Sequence, residues 1–181
     1  MKRIFLVGYM GVGKTTLGKA LARRLSLSFI DLDLFIQARY QKTVKQMFAD
    51  FGEDGFRDIE RKVLSEVSDF ENVVISTGGG TPCFFDNMDL MNKKGKTVYL
   101  EASTEVLFKR LHPRKDKRPL LYGKSDEELL SFIKENLEKR TPFYRKAKYI
   151  FNPQGEIGRN DINKQIELLL FQLNININEK D

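Results

Sequence analysis

One short stretch of the chain carries the residue types that bind phosphate. Residues 8–15 match the pattern G-x-x-x-x-G-K-[ST] in full. The stretch follows an apolar run and opens an amphipathic pattern, which predicts a strand, a glycine-rich turn and a helix N-terminus in succession. Lys14 would then pair with β- and γ-phosphates, and Thr15 would place its hydroxyl on Mg²⁺. A glycine turn without a ligand is the alternative interpretation, but the pattern in this context favours a nucleotide triphosphate.

Two carboxylates come directly after the second apolar run. Asp31 and Asp33 are two residues apart, so both can lean toward one site while Leu32 packs away from it. In open α/β sheets, ligands bind at this carboxyl edge of the strands. One carboxylate near Mg²⁺ and one near an acceptor hydroxyl would suit phosphoryl transfer to an alcohol. Alternatively, Asp33 only caps a helix that begins at Leu34.

Two further features could bind a ligand at the same edge. Arg57 and Glu60 are three residues apart in a helical pattern, close enough for the carboxylate to orient the guanidinium. An ordinary surface ion pair would have the same spacing. Three consecutive glycines, residues 78–80, follow the third apolar run, and bare backbone there suggests close approach of a ligand. A flexible turn is the alternative for the glycines.

Short apolar runs alternate with helical patterns along the chain, which predicts βαβ units and an α/β fold with a mostly parallel sheet. The predicted strands are residues 4–7, 28–30, 73–76, 97–100 and 149–151. The predicted helices are residues 14–25, 43–50, 53–68, 85–94, 104–111 and 161–173, with one more around Leu129, Ile133 and Leu137. We expect a single domain over residues 1–173 and a frayed tail over 174–181.

The stretch from residue 112 to 125 lacks apolar periodicity and is rich in proline and positive charge, which is typical of a long loop. We expect residues 112–124 to form a mobile lid, too polar to hold itself against the core. Closure would lower positive charge onto phosphates and seal the site with leucines.

Composition limits the classes of function. The 181 residues are 41% hydrophobic and 31% charged, which excludes a mostly disordered chain. One cysteine and one histidine exclude an internal disulfide, a cysteine-rich zinc site and a site with two or three histidines. No apolar run approaches the ~20 residues of a membrane span, and no export signal is evident, so we expect a cytoplasmic protein without a membrane partner.

Positive charge is concentrated in one segment. Residues 109–148 hold 13 Lys and Arg against 6 Asp and Glu, whereas the whole chain has a net charge of +6. Such a block could attract nucleic acid or a membrane surface, or it could surround a small polyanion such as a nucleotide triphosphate. Composition leaves these alternatives open.

Taken together, the motifs resemble the shikimate kinase family, in the nucleoside-monophosphate-kinase-like group of P-loop enzymes. The resemblance extends from Ile4 to about Phe151 and rests on residues 8–15, 31–33, 56–60, 78–80, 118–121 and 139–144. It implies a P-loop NTPase fold with a five-stranded parallel sheet in the order 2-3-1-4-5. It also implies that ATP phosphorylates the 3-hydroxyl of shikimate with Mg²⁺ as cofactor, in aromatic amino acid biosynthesis. We expect a monomer that binds these small molecules and no nucleic acid.

On the acceptor side, the resemblance implies that Arg57 and Arg140 hold the carboxylate of shikimate. Its hydroxyls would contact Asp33 and the backbone of Gly79 and Gly80. A bidentate guanidinium suits a planar carboxylate, so the implied clamp agrees with the residue chemistry. Asp33 would orient or deprotonate the hydroxyl that is phosphorylated.

On the nucleotide side, the resemblance implies that Arg110 packs against adenine and that Arg118 reaches the transferring phosphoryl group from the lid. Asp31 would contact Mg²⁺ through water, beside Thr15. Catalysis would rest on Asp33, Lys14 and Arg118. The nucleotide-binding residues expected are Gly11, Val12, Gly13, Lys14, Thr15, Thr16, Arg110, Arg118 and Pro153.

Two other functions compete with this interpretation. A different small-molecule P-loop kinase, for gluconate or a nucleoside monophosphate, would share most of the motifs. A nucleotide-switched protein that binds nucleic acid through residues 109–148 belongs to another class. Against it, the lid charges are not interleaved with the exposed aromatic residues on which bases would stack.

Overall fold

The computed structural model describes residues 2–117, 120–153 and 161–175. Five strands form one sheet, and every neighbouring pair is parallel. The strands are β1 (Arg3–Val7), β2 (Ser28–Asp31), β3 (Val73–Ser76), β4 (Lys96–Leu100) and β5 (Tyr149–Phe151), in the order β2-β3-β1-β4-β5. The strand positions and the strand order predicted above are confirmed.

The central strands lie inside the core because their residues are apolar on both faces. In β1, residues 4–7 are at most 1% exposed, and all four residues of β3 are buried. Helices flank this sheet, as strands buried on both faces require. The helices are α1 (Lys14–Arg24), α2 (Leu32–Tyr40), α3 (Val44–Val67), α4 (Asn87–Lys94), α5 (Thr104–Leu111), α6 (Asp126–Tyr144) and α7 (Ile162–Gln172).

Helix α3 contains a sharp break where two separate helices were predicted. Gly52 has φ 70° and ψ −176°, a conformation that side chains rarely adopt, and it divides the helix near the predicted gap. The first part begins at a capping box in which Thr43 and Gln46 bond each other's backbone N–H groups. The second part carries Arg57 and Glu60.

Helix α2 is missing from the predicted helices and was considered only as the alternative in which Asp33 caps a helix that begins at Leu34. The helix begins at Leu32, and Asp31, not Asp33, is its cap, since the Asp31 carboxylate accepts a hydrogen bond of 3.4 Å from Leu34 N. Asp33 therefore lies in the first helical turn, and the argument from strand alternation was wrong about its position. Leu32 is fully buried, as expected, and the Asp33 carboxylate remains free to face the sheet edge.

The segment predicted as a lid has local structure of its own. His112–Lys117 form a 3₁₀ helix, and both His112 Nε2 and Lys115 Nζ contact Asp126 Oδ1, at 3.0 and 3.2 Å. Leu121 is fully buried, whereas Leu120 is 62% exposed. The segment is therefore anchored in the core at one leucine, contrary to the expectation that it is too polar for this.

Candidate active site

The glycine-rich turn between β1 and α1 has the geometry expected of the predicted phosphate cradle. Gly13 precedes α1 with φ 106°, a conformation that favours glycine and turns successive backbone N–H groups toward one point. The buried Lys14 reaches back over the turn, with Nζ 2.7 Å from Gly8 O and 3.0 Å from Tyr9 O. From α5, Arg110 Nη1 donates to Val12 O at 2.9 Å, so Arg110 lies against the cradle. Its packing against adenine stays a prediction.

Thr15 and Asp31 meet beside the cradle. The Thr15 hydroxyl donates to Asp31 Oδ2 at 2.9 Å, although the two residues come from different elements. A hydroxyl and a carboxylate oxygen are ligands that suit Mg²⁺. Within the described part of the chain, no group of three or more His, Cys, Asp or Glu could hold a metal ion. Mg²⁺ here would therefore take its remaining ligands from phosphate oxygens and water, as it does in other phosphoryl-transfer sites.

Asp33 has the most perturbed carboxyl group of the site. Burial raises its pKa to about 6, and the carboxylates of Glu60 and Asp31 add to the shift, while Lys14 and Arg57 oppose it. A carboxylate with a pKa near neutrality is suited to accept a proton and release it again. Asp33 lies near both Lys14 of the cradle and Arg57 of α3, where the nucleotide side and the acceptor side of the candidate site would meet.

Arg57 is held rigidly on helix α3. Its Nη1 lies 2.9 Å from Glu60 Oε2, its Nη2 lies 3.2 Å from Glu53 Oε1, and the Phe84 ring packs 4.0 Å from the guanidinium carbon. The predicted orientation by Glu60 is confirmed. The Nε atom is buried and has no hydrogen-bond partner among the described residues. Two carboxylates and an aromatic ring therefore fix the orientation of the guanidinium.

The two predicted arginines lie beside consecutive glycines of the loop after β3. A Cβ atom on Gly80 would lie 2.7 Å from Arg57 Nη2, and one on Gly79 would lie 3.6 Å from Arg140 Nη1. Gly78 is equally constrained, since its Cβ would lie 2.7 Å from Asp33 Oδ1. Residues with side chains at Gly78 or Gly80 would therefore displace the groups that the site needs. These contacts show that packing against neighbouring side chains requires glycine at positions 78 and 80, which a merely flexible turn would not.

A cavity of about 450 Å³ joins the cradle to this loop. It is lined by Met10, Gly11, Gly13, Lys14, Thr15, Thr16, Asp31, Asp33, Ser76, Thr77, Gly78 and Gly79. A slightly larger cavity, of about 520 Å³, lies at the opposite edge of the sheet and is lined by five lysines, Arg3 and four uncharged residues. That second cavity has no carboxylate and no glycine turn in its lining. The groups suited to phosphoryl transfer meet only at the first of these two cavities.

Several residues of the site were missed by sequence reasoning. Glu53 is the second partner of Arg57, and Thr81 donates a hydrogen bond of 2.5 Å from its hydroxyl to Glu60 Oε1. Tyr144 donates from its hydroxyl to Gly79 O at 2.5 Å. The spacing of four residues between Arg140 and Tyr144 was a usable signal for a shared helix face. The contact of Thr81 with Glu60 had no signal in the sequence, because 21 residues separate them.

Of the remaining predicted positions, the structure describes Thr16 and Pro153. Thr16 is exposed and lines the first cavity, and Pro153 is buried two residues beyond the end of β5. Arg118 lies outside the described residues. Within the described part, no helix has the length and apolar character needed to cross a membrane.

Comparisons with known proteins identify the family of this chain. A family model for shikimate kinase matches residues 10–169. A shikimate kinase from Phocaeicola vulgatus is 59% identical over 174 residues, which cover 96% of this chain and 99% of that protein. The crystal structure of a shikimate kinase from Bacteroides thetaiotaomicron has a TM-score of 0.93 and 55% identity, covering 96% of this chain and 99% of the other. A shikimate kinase from Acinetobacter baumannii, solved in complex with shikimate, has a TM-score of 0.80 and 34% identity over 94% of both chains. This chain therefore belongs to the shikimate kinase family.

Proposed function

We infer that this chain transfers the γ-phosphoryl group of ATP to the 3-hydroxyl of shikimate, giving shikimate 3-phosphate and ADP. The observation that carries this is the meeting of Arg57 and Arg140 at adjacent glycines, next to the Asp33 carboxylate and in reach of the phosphate cradle. Two guanidinium groups can bind the carboxylate of shikimate, and a carboxylate with a raised pKa can accept a hydrogen bond from its hydroxyl. Membership of an ATP-dependent kinase family and the shikimate complex of a relative support the same acceptor.

On the nucleotide side, the cradle binds the phosphates of ATP through the backbone N–H groups of residues 11–16 and through Lys14. The ammonium of Lys14 would leave the carbonyl oxygens of Gly8 and Tyr9 to pair with the β- and γ-phosphates. We assign a Mg²⁺ site to Thr15, with Asp31 contacting the ion through water. When bound, Mg²⁺ neutralises charge on the phosphates.

The remaining nucleotide contacts are assigned from the sequence. Arg118 would stabilise the transferring phosphoryl group from the lid, and Arg110 and Pro153 would enclose adenine. The contact of Arg110 with Val12 O supports the first part of this enclosure, since it places the guanidinium against the cradle.

On the acceptor side, Arg57 and Arg140 clamp the carboxylate while Gly79 and Gly80 leave room for the ring to lie against bare backbone. This orients the 3-hydroxyl toward Asp33. With a pKa near 6, Asp33 is mostly ionised at neutral pH and accepts a hydrogen bond from that hydroxyl. As the bond between the hydroxyl oxygen and the γ-phosphorus forms, the bond from that phosphorus to the β–γ bridging oxygen of ATP breaks and ADP leaves, while the hydroxyl proton passes to the Asp33 carboxylate. Most of the rate gain comes from positioning and charge neutralisation.

We further propose that the protein works as a monomer in the cytoplasm, where ATP is available, and that nucleic acid is not a ligand. Every group used by the proposed reaction comes from one chain. The cations of residues 109–148 that are assigned above, Arg110, Arg118 and Arg140, are used on small anions, which accounts for part of that basic segment without a polyanionic partner.

The test is a coupled assay of ADP release. We expect release of ADP from ATP to depend on added shikimate, with shikimate 3-phosphate as product. Gluconate, nucleoside monophosphates, DNA and RNA should each leave the background rate unchanged. Release that depends on gluconate or a nucleoside monophosphate, and not on shikimate, would contradict the proposed acceptor.

A further inference from the structure

The hydroxyl of Tyr144, on α6, contacts the glycine loop of the proposed acceptor site. It donates a hydrogen bond of 2.5 Å to Gly79 O, in the loop after β3. The Arg140 guanidinium lies against the same glycine, since a Cβ atom on Gly79 would lie 3.6 Å from Arg140 Nη1. Burial raises the pKa of Tyr144, so the hydroxyl keeps its proton and remains a donor. The hydroxyl therefore holds the glycine against which one arginine of the proposed clamp lies.

The surroundings of Tyr144 allow little movement. Its side chain is fully buried, and its ring packs against the Tyr99 ring with centroids 5.2 Å apart. Tyr144 and Arg140 are four residues apart on helix α6 and so share one face. Because the hydroxyl is held in place in this way, it limits the movement of the Gly79 carbonyl to which it donates.

Arg140 gains more from fixed neighbours than most side chains would. An arginine side chain loses much rotamer entropy when it is fixed, and surroundings that already limit it remove part of that cost from the binding step. Its guanidinium carbon lies 5.7 Å from the centre of the Tyr9 ring, which limits it on one side. The glycine that Tyr144 holds limits it on another.

We propose that Tyr144 is a positioning residue for the acceptor, because its hydroxyl holds Gly79 against the Arg140 guanidinium and so sets the distance between the carboxylate clamp and the glycine loop. Tyr144 itself touches neither the acceptor nor the nucleotide in this role. The inference rests on the proposed function, in which Arg140 binds the carboxylate of shikimate.

The first test is Tyr144→Phe, which keeps the ring and removes the hydroxyl. We expect the dissociation constant of shikimate, measured by calorimetry, to rise about tenfold, as for loss of a typical buried hydrogen bond. The dissociation constant of ATP should stay within about twofold, since the cradle is built by other residues. The matched control is Tyr99→Phe, which removes the hydroxyl from the neighbouring ring, whose centroid lies 5.2 Å from that of Tyr144. It should leave shikimate affinity unchanged.

The second test separates positioning of Arg140 from general loosening of the fold. In an Arg140→Ala background, Tyr144→Phe should weaken shikimate binding by less than about twofold, because the group that it positions is gone. The same small effect is expected when wild type and Tyr144→Phe are compared with methyl shikimate, which has no carboxylate. Additive losses in both comparisons would overturn the proposal, as would unchanged shikimate affinity in Tyr144→Phe.

A measurement on the wild-type protein does not depend on any variant folding. The hydroxyl proton of Tyr144 should give an NMR signal that shifts when shikimate binds and shifts much less with methyl shikimate. Equal shifts with both ligands would overturn the proposal. Failure of wild-type protein to bind shikimate would instead contradict the proposed function, so the two failures can be told apart.

Discussion

The phosphate cradle and the acceptor pocket are built in opposite ways. The cradle consists of eight consecutive residues between a strand and a helix, and its geometry follows from the glycine turn and the helix N-terminus. The acceptor pocket takes Asp33 from α2, Arg57 from α3, two glycines from the loop after β3 and Arg140 from α6. A local motif carries its own geometry, whereas a pocket of this second kind exists only when four elements pack correctly. Substitutions in the cradle should therefore reduce turnover, whereas substitutions in the acceptor pocket should weaken the binding of shikimate.

The largest expected effect is in the cradle. Lys14→Met should reduce turnover by about 10³ or more, because it removes the cation that pairs with the phosphates as charge develops on them. The unfolding midpoint and the affinity for shikimate should change little. If folded Lys14→Met protein keeps a turnover within tenfold of wild type, the assignment of the phosphate cradle is wrong. The contrast between cradle and acceptor pocket would then no longer hold.

In the acceptor pocket, Arg57→Ala and Arg140→Ala should each weaken shikimate binding by about 2–4 kcal/mol, since each leaves a charged contact unmade. ATP affinity should change much less, and calorimetry with both ligands measures the difference. The matched control on α3 is Arg61→Ala, whose guanidinium pairs with Asp86 instead. If both clamp variants bind shikimate as wild type does, the acceptor site lies elsewhere.

Asp33 allows a test by pH. Because burial and neighbouring carboxylates raise its pKa to about 6, turnover should fall about tenfold for each pH unit below that value, as the carboxylate becomes protonated. A pH–rate profile with no inflection between pH 5 and 7 would contradict a role for the ionised Asp33.

The same pKa predicts an effect on stability with a definite sign. The folded pKa lies above the unfolded one, so the folded state binds the proton more tightly, and the stability of wild type falls as pH rises from about 4 to about 6. Asp33→Asn cannot ionise and should exceed wild type by about 2–3 kcal/mol in free energy of unfolding at pH 7. The difference should vanish near pH 4. Denaturant unfolding at both pH values tests this, and an equal difference at both would contradict it.

The smallest effects distinguish the two carboxylate partners of Arg57. Glu53 has a side chain 57% exposed, so Glu53→Gln should change shikimate affinity and stability by less than about 0.5 kcal/mol. Glu60 is 1% exposed and also accepts from Thr81, so Glu60→Gln should cost about 3 kcal/mol of stability and weaken shikimate binding. Equal effects of the two variants would show that burial does not decide how Arg57 is held.

Residues 8–15 and the five strands could be predicted from the sequence because both signals are local. An apolar strand, a glycine turn and an amphipathic helix each leave a pattern within about ten residues. The start of α2 was the weakest local prediction. Asp31 and Asp33 are both good helix caps by type, and only the end of β2 decides which of them takes that role.

The acceptor pocket was only partly predictable. The spacing of Arg57 and Glu60 indicated their pairing, and the family resemblance singled out Arg140. Nothing in the sequence shows that Gly79 lies beside Arg140 or that Gly80 lies against Arg57, since these contacts depend on how α3 and α6 pack against the sheet edge.

By itself, the sequence determined the nucleotide-binding turn, the strands of a parallel sheet and the residue types that suit an acidic alcohol as acceptor. The tertiary structure decided which carboxylate caps α2, that burial raises the pKa of Asp33 to about 6, and that Tyr144 and Arg140 both lie against Gly79. The physical reason is the distance along the chain between the residues that decide each property. Backbone conformation and amphipathicity depend on neighbouring residues, whereas burial, charge coupling and contacts between residues 79 and 140 arise only when distant segments pack together.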